Sequence, residues 1–318
     1  MQALQFTHTG DLSALKLVDL PEPVRTDDEV LIDVRAAGLN PSDVKNVLGR
    51  FPYTTLPRIP GRDFAGVVLE GPQHLIGQSV WGTGKGPGFS RDGSHAQHLT
   101  LPANGVALMP KSLSFSQAAS CGVPYTTAWD ALERCQVGSG TRLLVIGVGA
   151  VGSAALSLAK ARGAQVLAGV RRAGQANELQ ERGFSTVTLE VPEDLAVQVN
   201  QVFAGGADVI FDTTGFWLPA SVPALATFGR IAVIAAPVDG NVQLPALALY
   251  RRGGAVVGVN SLLYDTIDSA KMLTQLGQLF DDGHLPLPTN IHESPLHEGV
   301  QRYREVNEGR SDKIVLIP

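Results

Sequence analysis

The stretch LLVIGVGAVGSAALSLAKARG (143–163) joins an apolar run to a segment rich in helix formers through three glycines. Gly147 permits a tight turn, Gly149 lets backbone approach a bound group closely, and Gly152 lets the helix pack against the strand. The free amides at the start of such a helix attract negative charge. In this frame of strand, turn and helix, the three glycines predict a site for the pyrophosphate of a dinucleotide rather than glycines that serve packing alone.

Compact apolar runs and helix-length segments continue after the glycine turn. Five runs are apolar without alternation, which is typical of parallel strands covered on both faces. They lie at 142–147, 165–170, 207–212, 230–237 and 255–260. The helical segment between the first two ends at Gly163 and completes a βαβ unit. The sequence therefore predicts an α/β fold with a doubly wound parallel sheet.

The first 120 residues or so have a different hydrophobic pattern, in which short runs of alternating apolar and polar residues are interrupted by glycine and proline. The runs at 29–39, 64–70, 79–82 and 94–101 predict strands of an antiparallel, barrel-like β domain. A helix is expected after Pro41, because proline suits the first helical position and Gly49 suits a stop. After about residue 265 come a helix through Phe280, a helix near 296–308 and the closing strand KIVLIP. This tail has no place in the parallel sheet, so we expect it to return to the first domain.

Length, charge and cysteine content exclude several classes of protein. A chain of 318 residues exceeds the size at which one hydrophobic core stops growing, which predicts two domains. The formal charge of -5 opposes binding to nucleic acid or anionic membranes. The start lacks a secretory signal, and nowhere do about 18 uncharged apolar residues run together. The two cysteines, Cys121 and Cys135, are too few for a disulfide framework and fit a reducing compartment. We expect a cytoplasmic protein.

The end of the second parallel strand indicates which dinucleotide is bound. An NAD-binding protein carries Asp or Glu there, about 20 residues beyond the glycine turn, to hold the ribose hydroxyls. This chain reads AGVRR, with Arg171 and Arg172 directly after the strand and no carboxylate. A guanidinium offers forked donors to a 2′-phosphate, which a carboxylate would repel. The residues therefore favour NADPH, and a solvated basic loop is the alternative.

Seven ordered motifs span almost the whole chain. They are AAGLNPSDVKNVLG (36–49), LPRIPGRDFAGVV (56–68), DGSHAQHLTLPA (92–103), TTAWDAL (126–132), the glycine turn, DVIFDTTG (208–215) and EGRSDKIVLIP (308–318). Together they resemble the medium-chain dehydrogenase/reductases of the zinc-independent quinone oxidoreductase type. The resemblance implies a GroES-like, mainly antiparallel β catalytic domain made of residues 1–122 and 265–318. It implies a Rossmann-type NADPH-binding domain inserted at 123–264, a substrate cleft at the domain junction, and a homodimer.

Zinc alcohol dehydrogenases also resemble this chain but carry metal ligands where it has none. They have Cys and His where this chain has Asn40 and Pro41, and a second His where it has Arg62. Their third cysteine falls at Val123, and the four-cysteine structural lobe is missing. Catalytic zinc needs three protein ligands of the His, Cys or carboxylate kind. We therefore expect no metal.

Without zinc as a Lewis acid, the accessible chemistry is hydride delivery from NADPH to an activated acceptor, such as a quinone or an α,β-unsaturated carbonyl. Because negative charge develops on the acceptor oxygen, donors near that oxygen should help most. The candidates are the Asn40 amide, the Tyr53 hydroxyl and the Arg62 guanidinium. Each has a structural alternative: a turn before Pro41 for the asparagine, a packed aromatic for the tyrosine, and an ion pair with Asp63 or another carboxylate for the arginine.

Two other functions compete with this hypothesis. Similar 2-enoyl-thioester reductases carry a proton-donating Tyr after the NPSD motif, and gapless matching puts Phe51 there. A phenyl ring donates no proton, which favours quinones or small enones over acyl thioesters. The alternative from another class is a cofactor-binding structural or regulatory protein without significant turnover.

Further cofactor contacts follow from the resemblance and from the sheet. Thr127 falls where similar enzymes line the nicotinamide pocket, while Gly215 and Asn260 follow strands at the carboxyl edge, where open α/β sheets bind ligands. Arg310 matches an arginine that reaches the cofactor in some similar reductases, and a solvated helix-end arginine is the alternative. The predicted cofactor contacts are Thr127, Gly147, Gly149, Ala150, Val151, Gly152, Arg171, Arg172, Gly215, Asn260 and Arg310.

Overall fold

The chain divides at two points in the computed structural model, which describes residues 1–310 and 312–318. One unit consists of Met1–Thr126 and Ser261–Pro318, and the other of Thr127–Asn260. The boundaries expected from the sequence, after residues 122 and 264, each lie four residues from this division. The α/β class is confirmed: the first unit contains a mainly antiparallel seven-stranded sheet and a separate antiparallel pair of strands, and the second unit contains a parallel sheet.

The N-terminal part of the first unit contains short strands, helix α1 and the first part of helix α2. Helix α1 starts with a proline and is followed by Gly49 at a φ of 78°, a left-handed conformation that glycine adopts without strain. The elements in chain order are β1 (Gln2–Phe6), β2 (Leu15–Asp19), β3 (Glu29–Gly38), α1 (Pro41–Val47), β4 (Asp63–Glu70), β5 (Ser79–Gly82), β6 (His98–Pro102), β7 (Ala107–Leu108) and α2 (Phe115–Arg134).

The second unit carries a parallel sheet of six strands. Its elements are β8 (Arg142–Ile146), α3 (Ala150–Ala161), β9 (Gln165–Val170), α4 (Ala173–Glu181), β10 (Ser185–Thr188), α5 (Leu195–Val202), β11 (Ala207–Asp212), α6 (Leu218–Ala224), β12 (Leu225–Val233), α7 (Ala246–Arg251) and β13 (Ala255–Gly258). The strand order β10-β9-β8-β11-β12-β13 reverses at β8, as in a doubly wound fold. The prediction of five strands missed β10, because STVT has only one apolar residue.

The C-terminal tail supplies α8 (Thr266–Asp281), β14 (Ile291–Pro295), α9 (Gly299–Asn307) and β15 (Lys313–Ile317). Strand β15 pairs antiparallel with β3, so the end of the chain joins the sheet that the N-terminal part builds. That sheet has the order β14-β15-β3-β4-β5-β7, with β6 paired to β3. The pairing places the first residue of β15 close to the segment that follows β3.

Each unit has its own apolar core. In the first unit, Leu4, Ile32, Val44 and Leu316 are among the buried residues that pack between the sheet and helices α1 and α9. In the second unit, the core packs residues of β8, β9, β11 and β12 against α5 and α6. Burial of one such side chain stabilises the fold by about 1.5–3 kcal/mol. Within residues 1–310 and 312–318, no helix is long and apolar enough to cross a membrane.

Candidate functional site

The start of α1 holds two buried polar residues of the first unit. Asn40 immediately precedes the helix, and its backbone N–H donates to Oδ2 of Asp43 at 2.8 Å. Both residues are buried. Burial raises the pKa of the Asp43 carboxyl to about 6, against the opposing charge of Arg62. The helix start therefore keeps an acidic group that titrates far above the range of an exposed aspartate.

Asp63, at the start of β4, is a fully buried carboxylate that sequence reasoning did not place in the site. Its Oδ1 accepts from Thr83 Oγ1 at 2.7 Å and from the backbone N–H of Val123 at 2.9 Å, and its Oδ2 accepts from Asn40 Nδ2 at 2.8 Å. A buried charge is tolerated only with such partners. The backbone of α2 approaches this closely because residue 122 is glycine, where a Cβ would overlap the Asp63 carboxylate.

Lys313, the first residue of β15, supplies a positive charge beside this carboxylate. Its Nζ donates to Asn40 Oδ1 at 2.7 Å and to the Leu39 carbonyl at 3.3 Å, and lies 3.7 Å from Asp63 Oδ2. The side chain is 12 % exposed. Burial lowers the pKa of Lys313, although Asp63 and Asp43 oppose that shift. No sequence motif indicated this lysine, and KIVLIP alone offers no signal for it.

Arg62 is 2 % exposed, and only part of its guanidinium is satisfied. Nη2 donates to Ser42 Oγ at 2.9 Å, whereas Nε and Nη1 have no hydrogen-bond partner within the described residues. The expected alternative was an ion pair with Asp63 or another carboxylate, and the described residues provide no such pair for this arginine. Buried polar groups are nearly always paired, so two free donors on a buried cation require an explanation.

Tyr53 belongs to a cluster of three aromatic rings next to Arg62. The ring centroids of Phe51, Tyr53 and Phe89 are 5.2–5.9 Å apart. Tyr53 is 46 % exposed, and partial burial raises the pKa of its hydroxyl while the Arg62 charge opposes this. The Arg62 guanidinium lies 5.6 Å from the Phe89 centroid. Tyr53 and Arg62 therefore both lie beside the Phe89 ring. The hydrogen bond to Ser42 connects Arg62 to α1, two residues beyond Asn40.

The glycine turn of the second unit has the expected backbone. Gly147 follows β8 with a φ of 82°, Gly149 is the N-cap of α3 with a φ of -79°, and Ala150 and Val151 begin the helix. A Cβ at Gly152 would overlap the Gly147 carbonyl oxygen, whereas a Cβ at Gly149 meets no heavy atom within 4 Å. The turn therefore needs glycine at 152 for its own packing, while the space over Gly149 is open.

The other predicted cofactor contacts of this unit follow neighbouring strands at the same sheet edge. Arg171 and Arg172 come directly after β9, and both are exposed. Neither guanidinium has a hydrogen bond or an ion pair with another residue that the structure describes. Asn260 is exposed and follows β13. These residues lie at the carboxyl edge of the sheet, where ligands of open α/β sheets bind.

A buried aspartate that sequence reasoning missed shapes the turn around Gly215. Oδ1 of Asp212, the last residue of β11, accepts from the backbone N–H groups of Thr214 at 2.8 Å and Gly215 at 3.1 Å. Oδ2 accepts from the Trp217 N–H at 3.0 Å. Gly215 has a φ of 81°. The signal was present in DTTG, because aspartate commonly bonds the backbone two residues on.

Thr127 and Arg310 belong to parts of the chain other than this sheet. Thr127 is buried within α2. Arg310 belongs to the first unit, where its Nη1 donates to Glu305 at 2.6 Å and its Nη2 to Asp312 at 3.4 Å. These carboxylates account for the guanidinium locally, as expected of an arginine at a helix end. A cofactor contact of either residue stays a prediction.

The residues at the positions of the zinc ligands do not fit a zinc ion. Asn40 and Arg62 stand there with Pro41 and Val123, and a guanidinium repels a cation. Across the described residues, no group of three or more His, Cys, Asp or Glu side chains could hold a metal ion. The donor set therefore differs from the three His, Cys or carboxylate ligands of a catalytic zinc site.

Comparisons with known proteins agree on one family. Family models match at 26–111, as an alcohol dehydrogenase GroES-like domain, and at 150–276, as a zinc-binding dehydrogenase. A zinc-type alcohol dehydrogenase-like protein of Schizosaccharomyces pombe is 35% identical over 310 residues, which cover 95% of this chain and 92% of the relative. A 2-methylene-furan-3-one reductase of Solanum lycopersicum is 34% identical over 235 residues, 68% of this chain and 57% of the relative.

A solved structure supports the same assignment. An alcohol dehydrogenase superfamily protein from Novosphingobium aromaticivorans superposes with a TM-score of 0.89 at 27% identity, covering 100% of this chain and 99% of the other. The resemblance to the medium-chain dehydrogenase/reductases is thereby confirmed at the level of the superfamily. With both sheets, the glycine turn and these relatives in agreement, the chain belongs to the medium-chain dehydrogenase/reductase superfamily and is an oxidoreductase of that family, whose members bind NAD or NADP.

Proposed function

We propose that this oxidoreductase uses NADPH to reduce a quinone or an α,β-unsaturated carbonyl without a metal. The observation that carries the proposal is the buried Arg62 guanidinium, whose Nε and Nη1 have no acceptor within the described residues. A carbonyl oxygen would satisfy these donors. As hydride arrives and negative charge develops on that oxygen, the preorganised guanidinium stabilises it more strongly than it stabilises the neutral acceptor. NADPH, when bound, supplies the hydride.

The aromatic cluster beside Arg62 supports a flat, conjugated acceptor. Phe51, Tyr53 and Phe89 offer ring surfaces next to the guanidinium, and aromatic rings favour stacking with other π systems. Phe51 has no proton to donate, which favours an acceptor whose reduced form takes its last proton from water. One relative, the tomato protein, is by name a reductase of 2-methylene-furan-3-one, which is itself a conjugated enone.

The test is a panel of acceptors followed by NADPH absorbance. We expect turnover with naphthoquinones and small enones, and slower reduction of crotonyl thioesters. Arg62→Met should lower kcat/KM by about 100-fold, the loss typical of one oxyanion donor, with NADPH affinity unchanged. Arg35→Met is the matched control, because Arg35 is an exposed arginine of the same sheet, paired with Asp33.

Three results would change the proposal. Wild-type kcat/KM in Arg62→Met would remove the role of the guanidinium. Faster reduction of crotonyl thioesters than of naphthoquinones would support a 2-enoyl-thioester reductase instead. Hydride transfer to none of the acceptors would support the alternative of a cofactor-binding protein without significant turnover.

The preference for NADPH rests on Arg171 and Arg172. Both guanidinium groups are exposed and without a protein partner in the described chain, so their donors are available to a 2′-phosphate. Hydrogen bonds to a charged group contribute about 1.5–3 kcal/mol each. The variants Arg171→Ala and Arg172→Ala should therefore weaken NADPH binding about tenfold or more while NADH binding stays unchanged. Arg182→Ala, at the other end of α4, is the control; a wild-type preference for NADH would contradict the proposal.

We also propose a homodimer that pairs the second units through β13. This strand is the last in the sheet order, so no strand among residues 1–310 and 312–318 pairs with its outer edge, and Ala255, Val256 and Gly258 are exposed. Exposed Leu247 and Tyr250 of α7 precede it. An apolar, uncovered edge favours pairing with another strand, here that of a second copy. Light scattering should show a dimer that Val256→Lys dissociates, and a monomeric wild-type protein would refute the pairing.

The cytoplasm is the proposed location. Cys121 and Cys135 are both free and buried, and burial raises their thiol pKa values to about 12 and about 11. Such thiols are inert to oxidation at neutral pH and fit a reducing compartment. Fractionation of the producing cell tests this: recovery outside the cytoplasmic fraction would contradict it.

A further inference from the structure

The side-chain amide of Asn40 is held from both sides by charged groups. Its Nδ2 donates to the Asp63 carboxylate at 2.8 Å, and its Oδ1 accepts from the Lys313 ammonium at 2.7 Å. An ammonium can only donate, and an ionised carboxylate can only accept. The two charges therefore permit one orientation of the amide, because rotation by 180° would place donor against donor and acceptor against acceptor.

This orientation leaves a donor available. An amide nitrogen carries two N–H groups, and in the described part of the chain Asp63 accepts the only side-chain hydrogen bond that Asn40 Nδ2 donates. Asp63 Oδ1 accepts from the Thr83 hydroxyl, and the Val123 N–H donates to both carboxylate oxygens. The carboxylate is thus fixed by its own partners, and it cannot turn to follow a rotated amide.

Within the described residues, Lys313 is the only side-chain donor to Asn40 Oδ1, beside the Asp43 backbone N–H of the capping box at the start of α1. Its other contact, with the Leu39 carbonyl, is longer at 3.3 Å. Without the ammonium, the buried Oδ1 would lose its charged donor at 2.7 Å, which costs free energy until the amide rotates or shifts. The lysine lies 273 residues from Asn40 in sequence, so the local turn before Pro41 does not provide this restraint.

We propose that Lys313 is a positioning residue, which locks the Asn40 amide so that its second N–H is available to the oxygen of the electron acceptor. The inference rests on the proposed reductase function, since it names how one donor of that site is oriented. Lys313 itself does not touch the acceptor. Its contribution to turnover passes through Asn40, which makes the coupling between the two residues the quantity to measure.

A double-mutant cycle tests this coupling. Lys313→Met keeps the length of the side chain and removes the ammonium, and it should lower kcat for the best quinone or enone about tenfold with NADPH affinity unchanged. In the Asn40→Ala background the same substitution should change kcat by less than about twofold, because no amide remains to be oriented. Equal losses in the two backgrounds would overturn the inference. Lys271→Met, an exposed lysine on α8 of the same unit, is the control that should leave kcat unchanged.

Two further measurements keep the result decisive. Lys313→Arg retains a charged donor and should keep kcat within about threefold of the wild-type value, whereas a loss equal to that of Lys313→Met would contradict a donor role. If Lys313→Met does not fold, Lys313→Leu, which also removes the donor, takes its place in the cycle. Either substitution should act on kcat rather than on KM, since the amide acts on charge that develops during hydride transfer.

Thermal unfolding of the same four proteins separates this inference from the proposed function. The unfolding temperatures of the single and double variants should be non-additive whether or not the protein turns over. If the wild-type protein reduces no acceptor, the proposed function fails, and additive unfolding temperatures would then also refute the restraint on Asn40. If the wild-type protein is active but the two kcat losses add, the inference alone fails.

Discussion

Gly149→Ala separates the fold of the glycine turn from its ability to bind a dinucleotide. A Cβ built on Gly149 meets no heavy atom within 4 Å, and the φ of -79° suits any residue. The folded protein therefore accommodates the methyl group without strain. Because alanine has less backbone freedom than glycine in the unfolded chain, the free energy of unfolding should rise by about 0.4–1 kcal/mol.

The same methyl group stands where a pyrophosphate would approach the first amides of α3. Overfilling a closely packed site by one methyl costs about 1–3 kcal/mol. That free energy corresponds to an increase of about 5- to 150-fold in the Kd for the dinucleotide. The expected variant is thus slightly more stable than the wild-type protein without ligand and distinctly weaker in binding.

Fluorescence titration with NADPH and NADH, together with thermal unfolding, measures both effects. Gly138→Ala is the matched control: its Cβ also meets no heavy atom within 4 Å, but it precedes β8 at the amino end of the sheet. Gly152→Ala should instead lower stability, because its Cβ overlaps the Gly147 carbonyl oxygen. Wild-type affinity of Gly149→Ala for both dinucleotides would refute the assignment of the turn as the pyrophosphate site.

Two further predictions concern the buried polar groups of the first unit. Gly122→Ala should lower both the unfolding temperature and kcat, because its methyl group would overlap the Asp63 carboxylate. Differential scanning calorimetry and an activity assay measure the two effects. Unchanged values would show that α2 can move away from Asp63. Burial lowers the pKa of His95 from 6.5 to about 4, so between these values the unfolded state binds more protons and stability falls as pH falls. Burial raises the pKa of Asp43 from 3.8 to about 6, so over nearly the same range the native state binds more protons and stability rises as pH falls. The two effects oppose each other, each by about 3 kcal/mol, and Asp43→Asn should therefore lose about 3 kcal/mol more than the wild-type protein between pH 6.5 and pH 4 in urea unfolding. Parallel pH profiles for the two proteins would contradict this.

Much of the second unit could be predicted from sequence because its signals are local. The apolar runs that became β8, β9, β11 and β13 each comprise four to six consecutive residues and need no distant partner to be recognised. The missed strand β10 shows the limit, since a strand with one apolar residue is defined by its pairing with β9. The candidate donors Asn40, Tyr53 and Arg62 were located through motifs, and their partners were not.

The sequence by itself determined the two-part architecture, the glycine turn and the absence of a carboxylate after the second parallel strand, because turn geometry, periodicity and residue charge are properties of short segments. Only the tertiary structure decided that the Asn40 amide lies between Asp63 and Lys313 and that two Arg62 donors have no partner in the part of the chain the structure describes. These contacts depend on the pairing of β15 with β3 and on the approach of α2 to β4, which join positions far apart in the chain. The free-energy cost of burying a charged group depends on all of its neighbours. The roles of Arg62 and Lys313 could therefore be assigned only from the folded structure.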